Sequence, residues 1–258
     1  MTKMKLENHH ILITGGTSGI GFALAKRFLD LGNEVLAVDF SEKNIEAAKK
    51  ERPELLTYKA DLSAPADREA LKTWVDANFS ELDILFNDAG IQRWINLQHL
   101  THDWDWYHQE LAVNLEAQLH LTFLFLPQIT AQPNGAFINI SSGLVINNGA
   151  WVPIYAASKY GVHGFTEALR YQLQDTATKV FEIMPPAVNT NLGGAGEHNY
   201  GNDLADFADA VIQQLQDDLP EITFASSWDQ LRADKETNRK TTQETWNLFK
   251  DNPTFKNA

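Results

Sequence analysis

The sequence contains no cysteine. Disulfides, thiol nucleophiles and thiolate metal sites are therefore excluded at the outset. Its eight histidines form no HExxH pattern and no tight cluster, and the pair His9-His10 reads as the approach to a strand rather than as a ligand set. Positive charge is scarce: 21 Lys and Arg stand against 34 Asp and Glu, a formal net charge of −13. That balance argues against a nucleic-acid binder, which carries a basic face, and against docking on an anionic membrane surface. Long apolar runs are lacking too. The region around Leu119 to Leu126 is too short and too interrupted to span a bilayer. The opening residues MTKMKLENHHILITGG are basic but lack the apolar stretch of a secretory signal. The expectation is a cytoplasmic protein with no nucleic-acid or membrane partner. At 258 residues, 43% hydrophobic and 21% charged, the chain has an ordinary globular composition and is long enough to bury a substantial core.

What is present is a regular alternation. Short apolar runs at HILIT (10–14), EVLAVD (34–39), LLTYKA (55–60), LDILF (82–86), GAFINIS (135–141), KVFEIM (179–184) and EITFA (221–225) read as strands. Between and after them, stretches with apolar residues at helical spacing predict helices over 20–31, 42–51, 65–79, 103–126, 154–173, 203–218 and 235–249. Such alternation predicts an α/β fold: a single-domain, doubly wound, Rossmann-type parallel sheet of about seven strands with helices on both faces. Residues 1–258 contain no linker, repeat or low-complexity segment, so one domain is expected. The stretch 186–202, PAVNTNLGGAGEHNYGN, is long and glycine-rich and predicts a mobile loop covering a binding site. The tail 226–258 is polar and reads as a mobile extension or an interface element.

Between the first strand and first helix lies TGGTSGIG (14–21). Gly15, Gly19 and Gly21 stand where a side chain would block a dinucleotide: they permit a tight turn, close approach of backbone to a pyrophosphate, and close packing of helix on strand. Thr17, Ser18 and Ile20 of the same turn are expected to face that ligand, where helix N–H groups meet the phosphates. Asp39 closes the second strand, where a carboxylate would accept hydrogen bonds from the adenosine ribose. It would also repel a 2′-phosphate, and no arginine follows it, which favours NAD over NADP. Read alone, an Asp at a strand end starts a turn.

The stretch YAASK sets Tyr155 and Lys159 one helical turn apart. Two readings stay open. Such a pair can simply pack a ring and solvate an amine. Alternatively, the ammonium lowers the phenol from its ordinary value near ~10, so that it exchanges a proton near neutral pH.

In order along residues 8–190 the chain shows TGGTSGIG, Asp39, ADLS (60–63), NDAG (87–90), Asn114 in AVNL, INISS (138–142), YAASK and PPAVNT (185–190). Together these resemble the short-chain dehydrogenase/reductase family. GNEVLAVD, NDAGIQ and MPPAVNT look similar to a bacterial branch of it labelled DltE-like. The resemblance implies an oxidoreductase acting on a CH–OH group with a nicotinamide cofactor, NAD preferred. It implies catalytic roles for Ser142, Tyr155, Lys159 and Asn114. Asp61 and Leu62 would border the adenine. Asn87, Ala89 and Gly90 would flank the cofactor ribose, and Pro185, Val188 and Thr190 would lie at the nicotinamide. Tyr155 would move the proton, and Lys159 would stabilise the phenolate and bond the nicotinamide ribose. Ser142, at a strand end, either bonds the reacting oxygen or caps a turn. Asn114 either makes a structural hydrogen bond or holds a water near Lys159. Two positions depart from the family pattern: Asp88 replaces an asparagine, and Pro186 replaces a glycine and removes a backbone donor.

Gln92, Trp94, Leu144 and Trp151 follow the fourth and fifth strands and are expected to line a mainly apolar pocket for a small hydrophobic ketone or secondary alcohol. Arg93 reads as a solvated arginine or as a receiver of an acidic group. In the resembling family the helices matching 103–126 and 154–173 pair between subunits, which implies a homodimer or homotetramer. The rival to a working enzyme is a catalytically silent NAD-binding sensor or scaffold of the same fold.

Overall fold

The strands read as near-continuous apolar runs because both faces of the sheet are covered. The computed structural model describes residues 3–194, 196 and 199–258. Its sheet comprises β1 (His10–Thr14), β2 (Glu34–Asp39), β3 (Leu56–Lys59), β4 (Ile84–Asn87), β5 (Ala136–Ile140), β6 (Lys179–Met184) and β7 (Glu221–Thr223). They pair in the order β3-β2-β1-β4-β5-β6-β7, every pair parallel. Strand order reverses between β1 and β4, and their carboxyl ends open a crevice there.

Alternate strand residues serve opposite layers. Ile11, Ile13, Val35 and Phe86 pack with Leu24 and Phe28 of α1 (Gly19–Asp30) and with Phe207 and Val211 of α7 (Leu204–Gln216). On that face Ala48 of α2 (Glu42–Glu51) also joins the core. Leu12, Leu36, Leu85 and Phe137 pack on the other face against α3 (Pro65–Asn78), α5 (Ala117–Thr130) and α6 (Pro153–Leu173). The single-domain, doubly wound parallel fold is therefore as the alternation predicts.

Beneath the crevice runs a buried polar row. Register places Thr14 beside Asn87, Asn87 beside Asn139, and Asn139 beside Glu182. Asn87 Nδ2 donates to Asn139 Oδ1 at 2.9 Å, and Asn139 Nδ2 donates to Thr166 Oγ1 at 3.0 Å. Thr14 Oγ1 accepts the backbone N–H groups of Asp88 and Ala89 at 3.0 and 3.1 Å. Glu182 accepts Ser141 Oγ at 2.5 Å and faces His163 Nδ1 at 3.0 Å. Buried polar groups persist when paired in this way, and here the pairing fixes the strand ends that carry the crevice.

Two expectations need correction. The helix expected over 103–126 is interrupted: α4 (Trp104–Leu111) passes through a π turn (Ala112–Glu116) into α5, which runs on to Thr130. π turns insert where one side chain must be re-aimed, here Asn114. The tail is not a loose extension. It forms α8 (Ser226–Arg232), α9 (Lys235–Phe249) and α10 (Pro253–Lys256). Asp234 and Asn252 cap the last two through their side chains. These helices fold back so that Trp246, Phe249 and Phe255 pack with Trp94, Leu144, Trp151 and Tyr155. Part of the loop expected over 186–202 falls on residues 195, 197 and 198, which lie outside the described residues. At its base Asn189 N–H donates to Asn202 O at 2.9 Å and Asn202 N–H to Ala187 O at 2.8 Å. Among the described residues no helix is long and apolar enough to cross a membrane.

Candidate active site

A cleft of about 790 Å³ opens at the strand ends. It runs from the glycine turn between β1 and α1, past the loops after β4, β5 and β6, to the C-terminal helices. The turn is built for close approach. Gly15 and Gly19 hold φ of +68° and +51°, backbone geometry that disfavours any Cβ. A Cβ on Gly21 would stand 2.5 Å from Gly15 O and 2.6 Å from Asp88 Oδ2. Among the described residues Ser18 receives no side-chain cap bond at the start of α1, so first-turn N–H groups face the cleft for an anion. Asp39, 7% exposed, accepts Thr17 Oγ1 at 2.5 Å and Ser41 N–H at 2.9 Å. This backbone cradle leaves the room at the turn that a dinucleotide pyrophosphate needs.

Deeper in the cleft, α6 starts at Pro153, a residue suited to a first helical turn, and carries Tyr155 and Lys159 inward. Both are buried, as is Ser142 at the end of β5. The Ser142 hydroxyl lines the cleft beside the Tyr155 phenol, close enough to favour its ionised form. Lys159 Nζ donates to Ile140 O at 2.8 Å and lies 5.7 Å from the centre of the Tyr155 ring. Ser142 Oγ also accepts Leu144 N–H at 3.1 Å, so it caps the short turn Gly143–Val145 as well as meeting the phenol.

The electrostatics correct one expectation. In the protein itself Tyr155 sits above its ordinary value, not below it. Burial is the largest cause, the Ser142 hydroxyl opposes it, and the Glu110 and Asp88 charges reinforce it. Burial also lowers the Lys159 ammonium, to about 8, against the attraction of Asp88 and Glu182. Burial likewise raises the Asp88 carboxyl, with Lys159 and the Gly21 N–H opposing.

Asn114, fully buried in the π turn, bonds one backbone group at both ends of its amide. Its Nδ2 donates to Ile91 O at 2.8 Å and its Oδ1 accepts Ile91 N–H at 2.8 Å. It also donates to Ser158 Oγ at 3.3 Å. The structural role is therefore present: it ties the loop after β4 to α6. Its Oδ1 and Lys159 Nζ both lie beside Gly90, 3.4 and 3.8 Å from where a Cβ there would stand.

Gly15, Ser18, Gly19, Ile20, Ala89, Gly90, Ser142, Tyr155, Lys159, Pro185, Val188 and Thr190 all line this one cleft, as do the expected pocket residues Gln92, Trp94, Leu144 and Trp151. Thr17, Gly21, Asp39 and Asn114 support the lining from behind. Asn87 turns its amide into the polar row under the sheet. Asp61 and Leu62 are not brought into the cleft lining: Asp61 Oδ1 accepts Ser63 N–H at 2.9 Å ahead of α3, and Leu62 packs in the core.

Some participants are not apparent from the sequence motifs. Asp88 was visible there only as a departure from a pattern; it lies against the glycine turn. Glu110 of α4 is fully buried, with Oε1 accepting Arg93 N–H at 3.0 Å, and burial pushes its carboxyl up to about 8. Arg93 lines the cleft half-buried, its guanidinium donating to Trp106 O and to Gln109 Oε1 at 2.5 Å and lying over the Trp106 ring. Gln230, Thr245 and Phe249 line the outer end from the tail.

Comparison with known proteins agrees with this geometry. A family model described as short chain dehydrogenase matches residues 9–200. An uncharacterized oxidoreductase, DltE, of Bacillus subtilis is 39% identical over 198 residues, covering 77% of this chain and 79% of the relative. A 3-oxoacyl-[acyl-carrier-protein] reductase, FabG, of Thermotoga maritima is 34% identical over 193 residues, covering 72% and 77%. Among solved structures, a short-chain dehydrogenase from Streptomyces avermitilis superposes with a TM-score of 0.78 at 21% identity, covering 93% of this chain and 97% of the other. At that identity the likeness speaks for the fold.

Proposed function

Because this chain belongs to the short-chain dehydrogenase/reductase family, we propose that it moves a hydride between a nicotinamide cofactor and a small, mainly hydrophobic ketone or secondary alcohol. The observation that carries the reading is the meeting of Tyr155, Ser142 and Lys159 in the same cleft as the glycine turn. The glycine turn would hold the pyrophosphate, Asp39 the adenosine ribose, and Val188 and Thr190 the nicotinamide end. The bound cofactor supplies or accepts the hydride. Tyr155 gives the carbonyl oxygen its proton in reduction and takes it back in oxidation. Ser142, beside the phenol in the cleft, turns its hydroxyl to the reacting oxygen as charge develops there. Lys159 holds positive charge beside the phenol, and Asn114 fixes the loop that walls this end of the cleft. In the protein alone the phenol sits too high to ionise at neutral pH, so the reading requires the oxidised nicotinamide's positive charge to favour the phenolate during alcohol oxidation. In reduction a neutral phenol is the acid needed.

Asp39 supports a preference for NAD, since its buried carboxylate ends β2 and is followed by Phe40 and Ser41 rather than an arginine. Exposed Phe123 on α5 and Tyr160 on α6 support self-association through these helices.

The test is NADH consumption over a panel of ketones, diketones and keto acids. Wild type should turn over at least one, and Tyr155→Phe should lose about 10²-fold or more in kcat while binding NADH normally. Undiminished activity in that variant would reject Tyr155 as the acid.

A further inference from the structure

The stretch matched by the family model ends at residue 200, but the cleft continues beyond it. Ser226 and Gln230 of α8 and Thr245 and Phe249 of α9 form its outer end. Phe249 stacks on Trp151 with ring centres 4.1 Å apart and planes 22° apart, and meets Trp94 edge-on at 5.4 Å. Trp94 and Trp151 stand 6.3 Å from each other. One ring of this trio comes from the tail and two from loops beside the catalytic groups.

The tail is also fastened to the catalytic loop. With its amide turned to satisfy both ends, Asn147 donates to Asn238 O at 3.0 Å and accepts Gln230 Nε2 at 3.1 Å. Asn147 lies in the loop between Ser142 and Tyr155. Ser227 is fully buried, its Cβ 3.4 Å from where a side chain on Gly143 would begin. The position of Phe249 is thus tied to that of Ser142.

The chemistry of this end is uncharged. Of the charged residues that line the cleft, Asp88 and Lys159 lie near the glycine turn and Tyr155, and the Arg93 guanidinium is committed to α4. What remains is aromatic surface with amide and hydroxyl groups from Gln92, Asn147, Gln230 and Thr245. Flat π surfaces bind flat apolar groups in offset-stacked or edge-on contact, whereas among the described lining residues a carboxylate here would meet only the Arg93 guanidinium, already donating to Trp106 O and Gln109 Oε1, to offset its desolvation.

We propose that Phe249 is a specificity-determining residue that selects flat, uncharged carbonyl compounds. Aryl or conjugated ketones and their secondary alcohols are favoured over short aliphatic ketones and keto acids. The inference rests on the oxidoreductase reading above.

The experiment compares kcat/KM for acetophenone, 2-butanone and 2-oxobutyrate in the full chain with NADH. The proteins are wild type, Phe249→Leu and Phe249→Tyr, with NADH affinity measured separately by fluorescence titration. Wild type should prefer acetophenone. Phe249→Leu should cut kcat/KM for acetophenone about ten-fold or more, chiefly through KM, since ring contacts and pocket fit are worth that much. Its effect on 2-butanone and on NADH affinity should stay within about two-fold, and Phe249→Tyr should restore acetophenone turnover. An unchanged acetophenone-to-butanone ratio in Phe249→Leu, or a wild type that prefers 2-oxobutyrate, overturns this proposal and leaves the oxidoreductase reading standing. A wild type that binds NADH but reduces none of the wider carbonyl panel overturns both.

Discussion

Replacing Glu110 by glutamine should change how stability depends on pH. Glu110 is fully buried on α4; its Oε1 accepts Arg93 N–H, and its Oε2 has no partner among the described residues. Burial raises its carboxyl from 4.5 to about 8 in the folded protein. A group whose folded value is raised contributes fully below its unfolded value, and that contribution is lost as pH rises through the folded one. Native stability should therefore decline across the window from 4.5 to about 8. At ~1.4 kcal/mol per unit, the decline from this one group is on the order of 5 kcal/mol. Glutamine preserves the shape and the acceptor for Arg93 but does not titrate. It introduces buried donors, at a cost of about 1–3 kcal/mol that does not vary with pH. Urea unfolding from pH 5 to pH 9, followed by tryptophan fluorescence, should show Glu110→Gln less stable than wild type at the acid end and equal or more stable at the alkaline end. His9, His163 and Asp88, also raised by their surroundings, titrate in both proteins and cancel in the difference. Parallel curves that never converge would refute the placement of a protonated carboxyl at this position.

Asp39→Arg should lower kcat/KM with NADH by about ten-fold or more and narrow or reverse the preference over NADPH, because the carboxylate is exchanged for a group that pairs with a 2′-phosphate; an unmoved NADH/NADPH ratio would count against Asp39 as the ribose acceptor. Asn114→Ala leaves the buried N–H and C=O of Ile91 unpartnered, so it should lose about 2–4 kcal/mol of unfolding free energy, read as a lower urea midpoint. A loss below about 0.5 kcal/mol would show that water replaces the amide at no cost.

The inner strands were legible because they are buried on both faces, so the chain must write them as unbroken apolar runs such as EVLAVD or AFINI, whereas the edge strand β3, LTYK, is only partly covered. Their helices were legible from 3.6-residue periodicity, and the glycine turn from its place between β1 and α1. Capping residues at Asp234 and Asn252 carried a local signal for the last two helices. The π turn carried none, since what re-aims Asn114 is the backbone of Ile91, a loop residue far from it in sequence.

The order of strands and helices, the position of the dinucleotide-type turn and the identity of the tyrosine, serine and lysine all follow from local pattern and motif, which one chain segment can encode by itself. The state of those groups does not. That Tyr155 is held high rather than low, that burial raises the Glu110 carboxyl, that the Arg93 guanidinium bonds α4, and that Phe249 closes the outer end of the cleft are consequences of burial and of contacts between distant segments. Desolvation and aromatic stacking depend on what surrounds a group in space, so only the tertiary structure decides them.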